Sequence, residues 1–464
     1  MSAINVNSIT GRTGTHGPVL TGVTTISGDL HVGSGLSVTG VSTFSNTVVG
    51  GATTELVVGG DARITGILTI GTGSVTIDGT SGNSSITGVT TVGITSAYIT
   101  SINDLNYPTA GSLSNRNLII NGAIEVSQRG TGFVDVVDVG PGHYLVDRFK
   151  AYHFAGTAGS SVIEHSHSTD APDGFKYSYL ARVKTTGMTA SDGYTMLGQN
   201  IEGYNINSLD WGSASGKSAT LSFWAKSSEI GTFCVAFRND GGSRSYVKTF
   251  DLDDTNWNFV SFTVPAETTG TWNSTNGVGI SLTWGLDVGT NYEGAVETWL
   301  TSNAFTASGM TNTWTDTVNN TFQITGVQLE VGSKATPFEH ESYGQTLSKC
   351  LRYYEKIHVA GVISCGVAFA GTAAFAGVRF SKKRATPNAI TLPSTVPGDG
   401  DADCSFLTGS ANYPTTFGSF TIDFETEDQF RVLQSGANGF TAGQAAMFWK
   451  DSAETGYITI DSEL

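Results

Sequence analysis

Short runs in which apolar and polar residues alternate recur along the whole chain, the period expected of half-buried strands. Between Leu118 and Phe338 the runs include Leu118-Ile119-Ile120, Ala219-Thr220-Leu221-Ser222-Phe223-Trp224-Ala225 and Thr232-Phe233-Cys234-Val235-Ala236-Phe237. They continue with Asn258 to Val264, Val278 to Trp284 and Phe322 to Leu329, separated by turn signals such as Asn239-Asp240-Gly241-Gly242. More than seven such strands predict a two-sheet jelly-roll sandwich over residues 111–340. Only one stretch changes period. Leu347, Cys350, Leu351 and Tyr354 stand at helical spacing, which predicts a short connecting helix over 341–356. Residues 357–464 return to strand-like, Gly-rich sequence and predict a small β domain closing on Phe448-Trp449 and Tyr457-Ile458-Thr459-Ile460.

Residues 1–110 read differently. A loose phrase recurs as Thr21-Gly22-Val23-Thr24-Thr25, Thr39-Gly40-Val41-Ser42-Thr43, Thr65-Gly66-Ile67-Leu68-Thr69 and Thr87-Gly88-Val89-Thr90-Thr91. Strands this short and small-sided do not bury a core within one chain, and their edges need covering. Stacking identical chains about an axis meets both needs, so this part predicts a fibrous β shaft in a homotrimer. The whole is then all-β, with shaft, sandwich, short helix and C-terminal β tip in that order.

Composition narrows the function. Among 464 residues, 39% are hydrophobic, 59 are glycine and 10 are proline, which suits many strands and tight turns. A formal charge of −16 argues against a nucleic-acid partner. Lys382-Lys383-Arg384, a compact basic cluster, reads as a solvated turn. Val359 to Val378 carries no charge over a span long enough to cross a bilayer. Its Ala, Gly, Ser and Thr content predicts two strands around a glycine turn, not membrane insertion. The four cysteines, Cys234, Cys350, Cys365 and Cys404, lie far apart without CxxC spacing and read as reduced thiols. Met1-Ser2-Ala3-Ile4-Asn5 lacks the basic and apolar regions of a signal peptide, so synthesis and assembly in a cytoplasm are expected.

One ordered set of phrases carries a resemblance. Asn117-Leu118-Ile119-Ile120-Asn121-Gly122-Ala123, Gln128-Arg129-Gly130-Thr131 and Val146-Asp147-Arg148-Phe149 are its first half. Thr220 to Ser227, Ile324 to Gly332, Ala335-Thr336-Pro337-Phe338-Glu339 and Cys350-Leu351-Arg352-Tyr353-Tyr354 complete it. Together they resemble a domain of tailed-phage fibre and related virion proteins, and the N-terminal phrases resemble shafts of marine cyanophage fibres. The resemblance implies a virion structural protein, made in a host bacterial cytoplasm, whose sandwich is similar to carbohydrate-binding modules. The implied partners are further copies of the chain, other tail, baseplate or neck proteins through the N-terminal part, and a host-surface glycan. The expected role is a tail fibre attaching through weak, multivalent glycan binding. The alternative is a collar, baseplate or capsid-attached fibre with no receptor contact, and polysaccharide depolymerisation is a lesser expectation.

Candidate chemistry follows from these alternatives. A sugar site needs a flat apolar face beside a few polar groups. Trp211, Trp272 and Trp299, with Tyr204 and Tyr292, sit in Gly/Asn/Ser-rich contexts and are the glycan candidates, whereas Trp224 and Trp284 lie inside strands and read as core. Asp251 with Asp253, and Asp399 with Asp401, concentrate oxygen ligands of the kind calcium takes, though neither run fits an EF-hand. They read as solvated acidic turns, so structural calcium is the one cofactor considered and none is required. His165 and His167, two apart, share a strand face, as a metal across a threefold axis would need. No GxSxG, HExxH or GxxxxGK[ST] phrase is present, and the chain is expected not to be an enzyme.

Overall fold

The computed structural model describes residues 101–102, 105–106, 114–137, 139–310, 313–393, 404–408, 419–437, 439–450 and 456–464. The predicted shaft lies outside them, apart from the paired dipeptides Ser101–Ile102 and Leu105–Asn106. The chain divides into two compact units, Met1–Gly93 and Ile94–Leu464. The second is an all-β body built on a jelly-roll sandwich. One sheet of the sandwich has seven strands in the order Trp299–Leu300, Ser245–Leu252, Gly231–Arg238, Val278–Val288, Tyr194–Glu202, Lys150–Phe154, Val139–Tyr144. The other has six, in the order Asn258–Val264, Ala219–Ser227, Thr321–Val331, Ser178–Thr185, Val162–Ser168, Val134–Val136. All pairings within both sheets are antiparallel.

Alternation decides which side chains enter the core. Leu221, Phe223 and Ala225 point between the sheets and meet Phe233, Val235, Phe237, Leu282 and Trp284 from the facing sheet. The seven-stranded sheet is covered on its outer side as well: Cys234 and Ala236 join Val247, Phe305 and Met310 in a smaller cluster there. This double cover explains why the Gly231–Arg238 run is apolar at nearly every position. Trp284 is fully buried as expected, but Trp224 is not core. Its strand turns the odd-numbered residues inward, so Trp224 lies half-buried on the outer face against Phe259, with ring centroids 5.4 Å apart.

Two local expectations also change. Leu118-Ile119-Ile120 is buried at its first two positions without being a strand. Asn117 Oδ1 accepts from Ile119 N at 3.0 Å and from Leu329 N at 3.1 Å, which turns the chain out of extended geometry. The helix spans only Tyr343–Leu351, opened by a capping box between Ser342 and Gln345. Tyr354 already belongs to the next strand, Tyr354–Val359, so the helical spacing at Tyr354 is coincidental.

Beyond the helix, Tyr354–Val359, Gly456–Asp461 and Ala389–Thr391 form a three-stranded sheet. A six-stranded sheet packs with it around Phe406, Phe430, Phe448, Ile458 and Ile460. The uncharged Val359 to Val378 run supplies its central hairpin, Gly361–Ala370 with Ala373–Arg379. Cys234, Cys350 and Cys404 are free and buried, and Cys365 is free and exposed.

The last described residues lock this region to the sandwich. Arg148 is 1% exposed, adopts a left-handed φ of 72° and donates to Glu463 and to the Asn200 carbonyl. Its guanidinium lies 3.6 Å from the Tyr353 ring centroid. Burial opposes the charge, but Glu463 and then Tyr353 hold its pKa above the ordinary guanidinium value. Arg129 packs 3.5 Å over Tyr354 and reaches Asp461 at 3.0 Å. Arg352 and Tyr353 both donate to Glu202, at 2.6 to 2.9 Å. The basic cluster belongs to the same joint and is not a solvated turn. Lys383 is fully buried on Glu355 and the Leu351 carbonyl, Arg384 donates to the carbonyls of Ser462, Glu463 and Asn276, and only Lys382 is exposed. Removing one member of a buried ion pair strands the other. Arg148→Ala is therefore expected to cost about 3–5 kcal/mol, read as a lower urea midpoint. Breaking the exposed pair Lys184–Asp135 with Lys184→Ala should leave that midpoint nearly unchanged.

Candidate functional site

Three of the tryptophans meet at one edge of the sandwich. Trp211 comes from a loop after the short helix Gly203–Ile206, Trp272 from the loop after Asn258–Val264, and Trp299 from the edge strand paired with Ser245–Leu252. Their rings stand edge to face, with centroids 4.9 Å apart for Trp211 and Trp272, 5.1 Å for Trp211 and Trp299, and 5.6 Å for Trp272 and Trp299. Tyr246 extends the cluster, 5.2 Å from Trp299. Each indole N–H is already used on a backbone carbonyl: Trp211 on Lys217 at 2.8 Å, Trp272 on Thr269 at 3.2 Å, Trp299 on Pro265 at 3.1 Å. What these rings offer a ligand is their apolar surface.

The loops are held by local chemistry. Asp210 and Gly212 take left-handed φ values of 51° and 87°, which swings Trp211 inward between them. Glu267, 2% exposed, receives Arg244 at 2.5 Å on one oxygen and the Thr269 N–H and hydroxyl at 2.7 and 2.8 Å on the other. That ion pair fixes the turn carrying Trp272. Asn273 Oδ1 then accepts from Thr275 N and Oγ1, at 2.8 and 2.9 Å, and shapes the next turn. Between the loops lies an open cleft of about 190 Å³, lined by Ile206, Asn207, Asp210, Trp211, Ser213 and Trp272 together with Asn273 and Ser274.

The candidates fare differently. Trp211 is only 8% exposed and forms the cleft floor, whereas Trp272 is half-buried and forms its wall; Trp299 backs both. Tyr204 is 55% exposed and joined to the cleft loop by its N–H, which donates to the Thr275 carbonyl at 2.8 Å. Tyr292 is elsewhere. It stacks on Phe305 at 4.4 Å over the outer face of the seven-stranded sheet, with its hydroxyl on the Asp192 carbonyl at 3.1 Å. Asp251 is exposed and accepts from Thr232 at 2.6 Å, Asp253 stands in an exposed turn, and Asp399 and Asp401 lie outside the described residues. Among the described residues no three His, Cys, Asp or Glu side chains gather as a metal site. His165 faces the interior beside Tyr179, 1% exposed, and so is closed to a metal shared between chains. The rim residues Asn207, Asp210, Ser213, Asn273 and Ser274 escaped the sequence reading; their place beside Trp211 and Trp272 in the chain was the available signal.

No protein-family model matches the chain, and no curated protein matches it. Solved structures with some likeness include the tailspike protein 4 enzymatically active domain of bacteriophage CBA120, at 15% identity and a TM-score of 0.26. That match covers 48% of this chain and 24% of the tailspike chain, so this chain spans about a quarter of it. Others are the CBM22-1 xylan-binding domain of Paenibacillus barcinonensis Xyn10C and the family 11 carbohydrate-binding module of Clostridium thermocellum. The first is 9% identical over 48% of this chain and 100% of that one, with a TM-score of 0.24. The second is 11% identical over 45% and 99%, with a TM-score of 0.22. These scores are too low to carry weight, and fold and site rest on the chain's own geometry.

Burial separates the three tryptophans in a melting experiment. Trp211→Ala is expected to destabilise by about 3–5 kcal/mol, as large-to-small core changes do, and Trp272→Ala by less than half as much. His165 gives a pH test. Burial lowers its pKa to about 3, with His153 and His143 adding to the shift, so the folded state holds it neutral. Its contribution is complete above about pH 6.5 and falls as pH drops towards 3, by at most about 1.4 kcal/mol per unit. His165→Phe should flatten that part of the profile of denaturation midpoint against pH.

Proposed function

We propose that this chain is a fibre-type structural protein of a tailed-phage particle that attaches to host-surface glycan through weak sites repeated by self-association. The observation that carries the reading is the convergence of Trp211 and Trp272, from separate segments and backed by Trp299, on a cleft rimmed by amide, hydroxyl and carboxylate groups. Apolar ring surface beside polar groups is what a sugar ring needs, because pyranoses present C–H patches edged by hydroxyls. The phage-fibre phrases and the N-terminal repeats support the virion setting and the homotrimer, in which avidity multiplies a modest site. Binding without hydrolysis is the favoured reading. Asp210 is the sole carboxylate among the cleft-lining residues, whereas glycosidases ordinarily use two.

A second reading has its own observation. Val362, Phe369 and Phe424 are 48%, 51% and 70% exposed on the C-terminal region, surface that a collar or baseplate component would cover against neighbouring virion proteins. Glycan-array binding by the intact chain decides between them. The adhesive reading expects array signal that Trp272→Ala abolishes without lowering the melting temperature by more than a few degrees; no signal from the unaltered chain sinks it. Light scattering on the same sample should return about three times the 48.5 kDa chain mass.

A further inference from the structure

We infer that the cleft beside Trp272 takes an uncharged sugar ring and disfavours uronic, sialylated, sulfated and phosphorylated saccharides; this rests on the glycan-binding reading above. The charge inventory at the cleft is short. Asp210 is the one ionisable side chain in its lining. Its carboxylate has Lys217 Nζ at 3.4 Å, and that ammonium also donates to the Ser208 carbonyl at 3.0 Å. The ammonium beside Asp210 is thus already balanced by a carboxylate. An acidic saccharide would bring a second negative charge beside Asp210 with no cation in the cleft lining to receive it. Carboxylate and sulfate sites generally present an arginine fork or a free lysine, and no arginine or lysine lines this cleft.

The remaining groups suit hydroxyls. Among the described residues, the side chains of Asn207 and Ser274 make no hydrogen bond to protein, so an amide and a hydroxyl stand ready on the rim. Ser213 donates to the Asp210 carbonyl at 2.8 Å, accepts from Ser215 N at 3.2 Å and keeps one lone pair. Because all three indole N–H groups are used on carbonyls, the tryptophans supply no donor to an anion. They give C–H contact alone, which a neutral pyranose face matches. The volume sets the scale: about 190 Å³ falls below the roughly 300–1,000 Å³ of clefts that enclose drug-sized ligands, and so suits one ring with the rest of the chain in solvent.

The test uses the intact chain on an array that pairs neutral oligosaccharides with their uronic, sialylated and sulfated counterparts, at low and at high salt. The expected result is neutral-only binding that changes by less than about twofold with salt, because an uncharged ligand has nothing to screen. Asp210→Asn is expected to raise the ratio of acidic to neutral binding by about fivefold, by removing one repelling charge. Preferential binding of acidic glycans that Trp272→Ala abolishes overturns this inference while leaving the glycan reading in place. Absence of any glycan signal, or signal indifferent to Trp272→Ala, overturns both.

Discussion

The body described here turns on one buried cation. Arg148 leaves the sandwich in a left-handed backbone conformation and is shut away from solvent between Glu463, the Asn200 carbonyl and the face of Tyr353. A guanidinium in that position is tolerable only with an anion at hand; Glu463 and the Asn200 carbonyl take its two terminal nitrogens, while Nε is left without a partner. Every partner it finds is distant in the chain: Glu463 is 315 residues away, at the end of the strand that pairs with both Tyr354–Val359 and Ala389–Thr391. Satisfying Arg148 therefore seats the C-terminal sheets on the sandwich.

The phrases that resemble phage-fibre domains prove to be the hardware of this joint and of the sheet beside it. Asn121 bonds Val126 in both directions and the Asp147 carbonyl, and Gln128 bonds the Asp147 carboxylate. Burial is the main cause that raises Asp147 to a pKa of about 6, against the pull of Gln128 and Arg129. Glu339 gathers the N–H groups of Asn115, Arg116 and Asn117, while Gln328, Glu330 and Thr336 close a buried polar knot on the Thr321–Val331 strand. None of these groups faces the tryptophan cleft. The phrases describe how the sandwich is clasped shut and joined to its neighbour.

The cleft follows the same economy of means. It sits on loops at a sheet edge, where backbone is free of the ladder, yet Glu267 with Arg244 and the three indole N–H bonds leave those loops little freedom. Under the proposed glycan-binding reading, a preformed, shallow cleft of one-ring size is weak alone and gains from repetition. In the proposed function the repeats and the cleft answer to one design, self-association being what multiplies a single weak site.

Residue order alone marked several strands, because period-two alternation is a property of the local backbone: Asn258–Val264 begins and ends where its pattern does, whereas Leu118-Ile119-Ile120 is turned aside by Asn117. It also determined the all-β class and the uncharged hairpin after Val359, since each depends on neighbours a few positions away. Tertiary structure decided everything that needed a partner from far along the chain. Trp224 alternates as correctly as Trp284, but only the stacking of two sheets says which face is inside. Trp211 and Tyr292 share a glycine-rich, polar setting in the sequence, but one is gathered into the aromatic cluster and the other laid over the far side of the sheet. Lys383 and Arg384 look solvated by composition and are drawn inward by Glu355 and the carbonyls of Ser462 and Glu463. Alternation is written in adjacent residues; burial, charge pairing and the meeting of three rings are set by contacts that form only when the chain has folded.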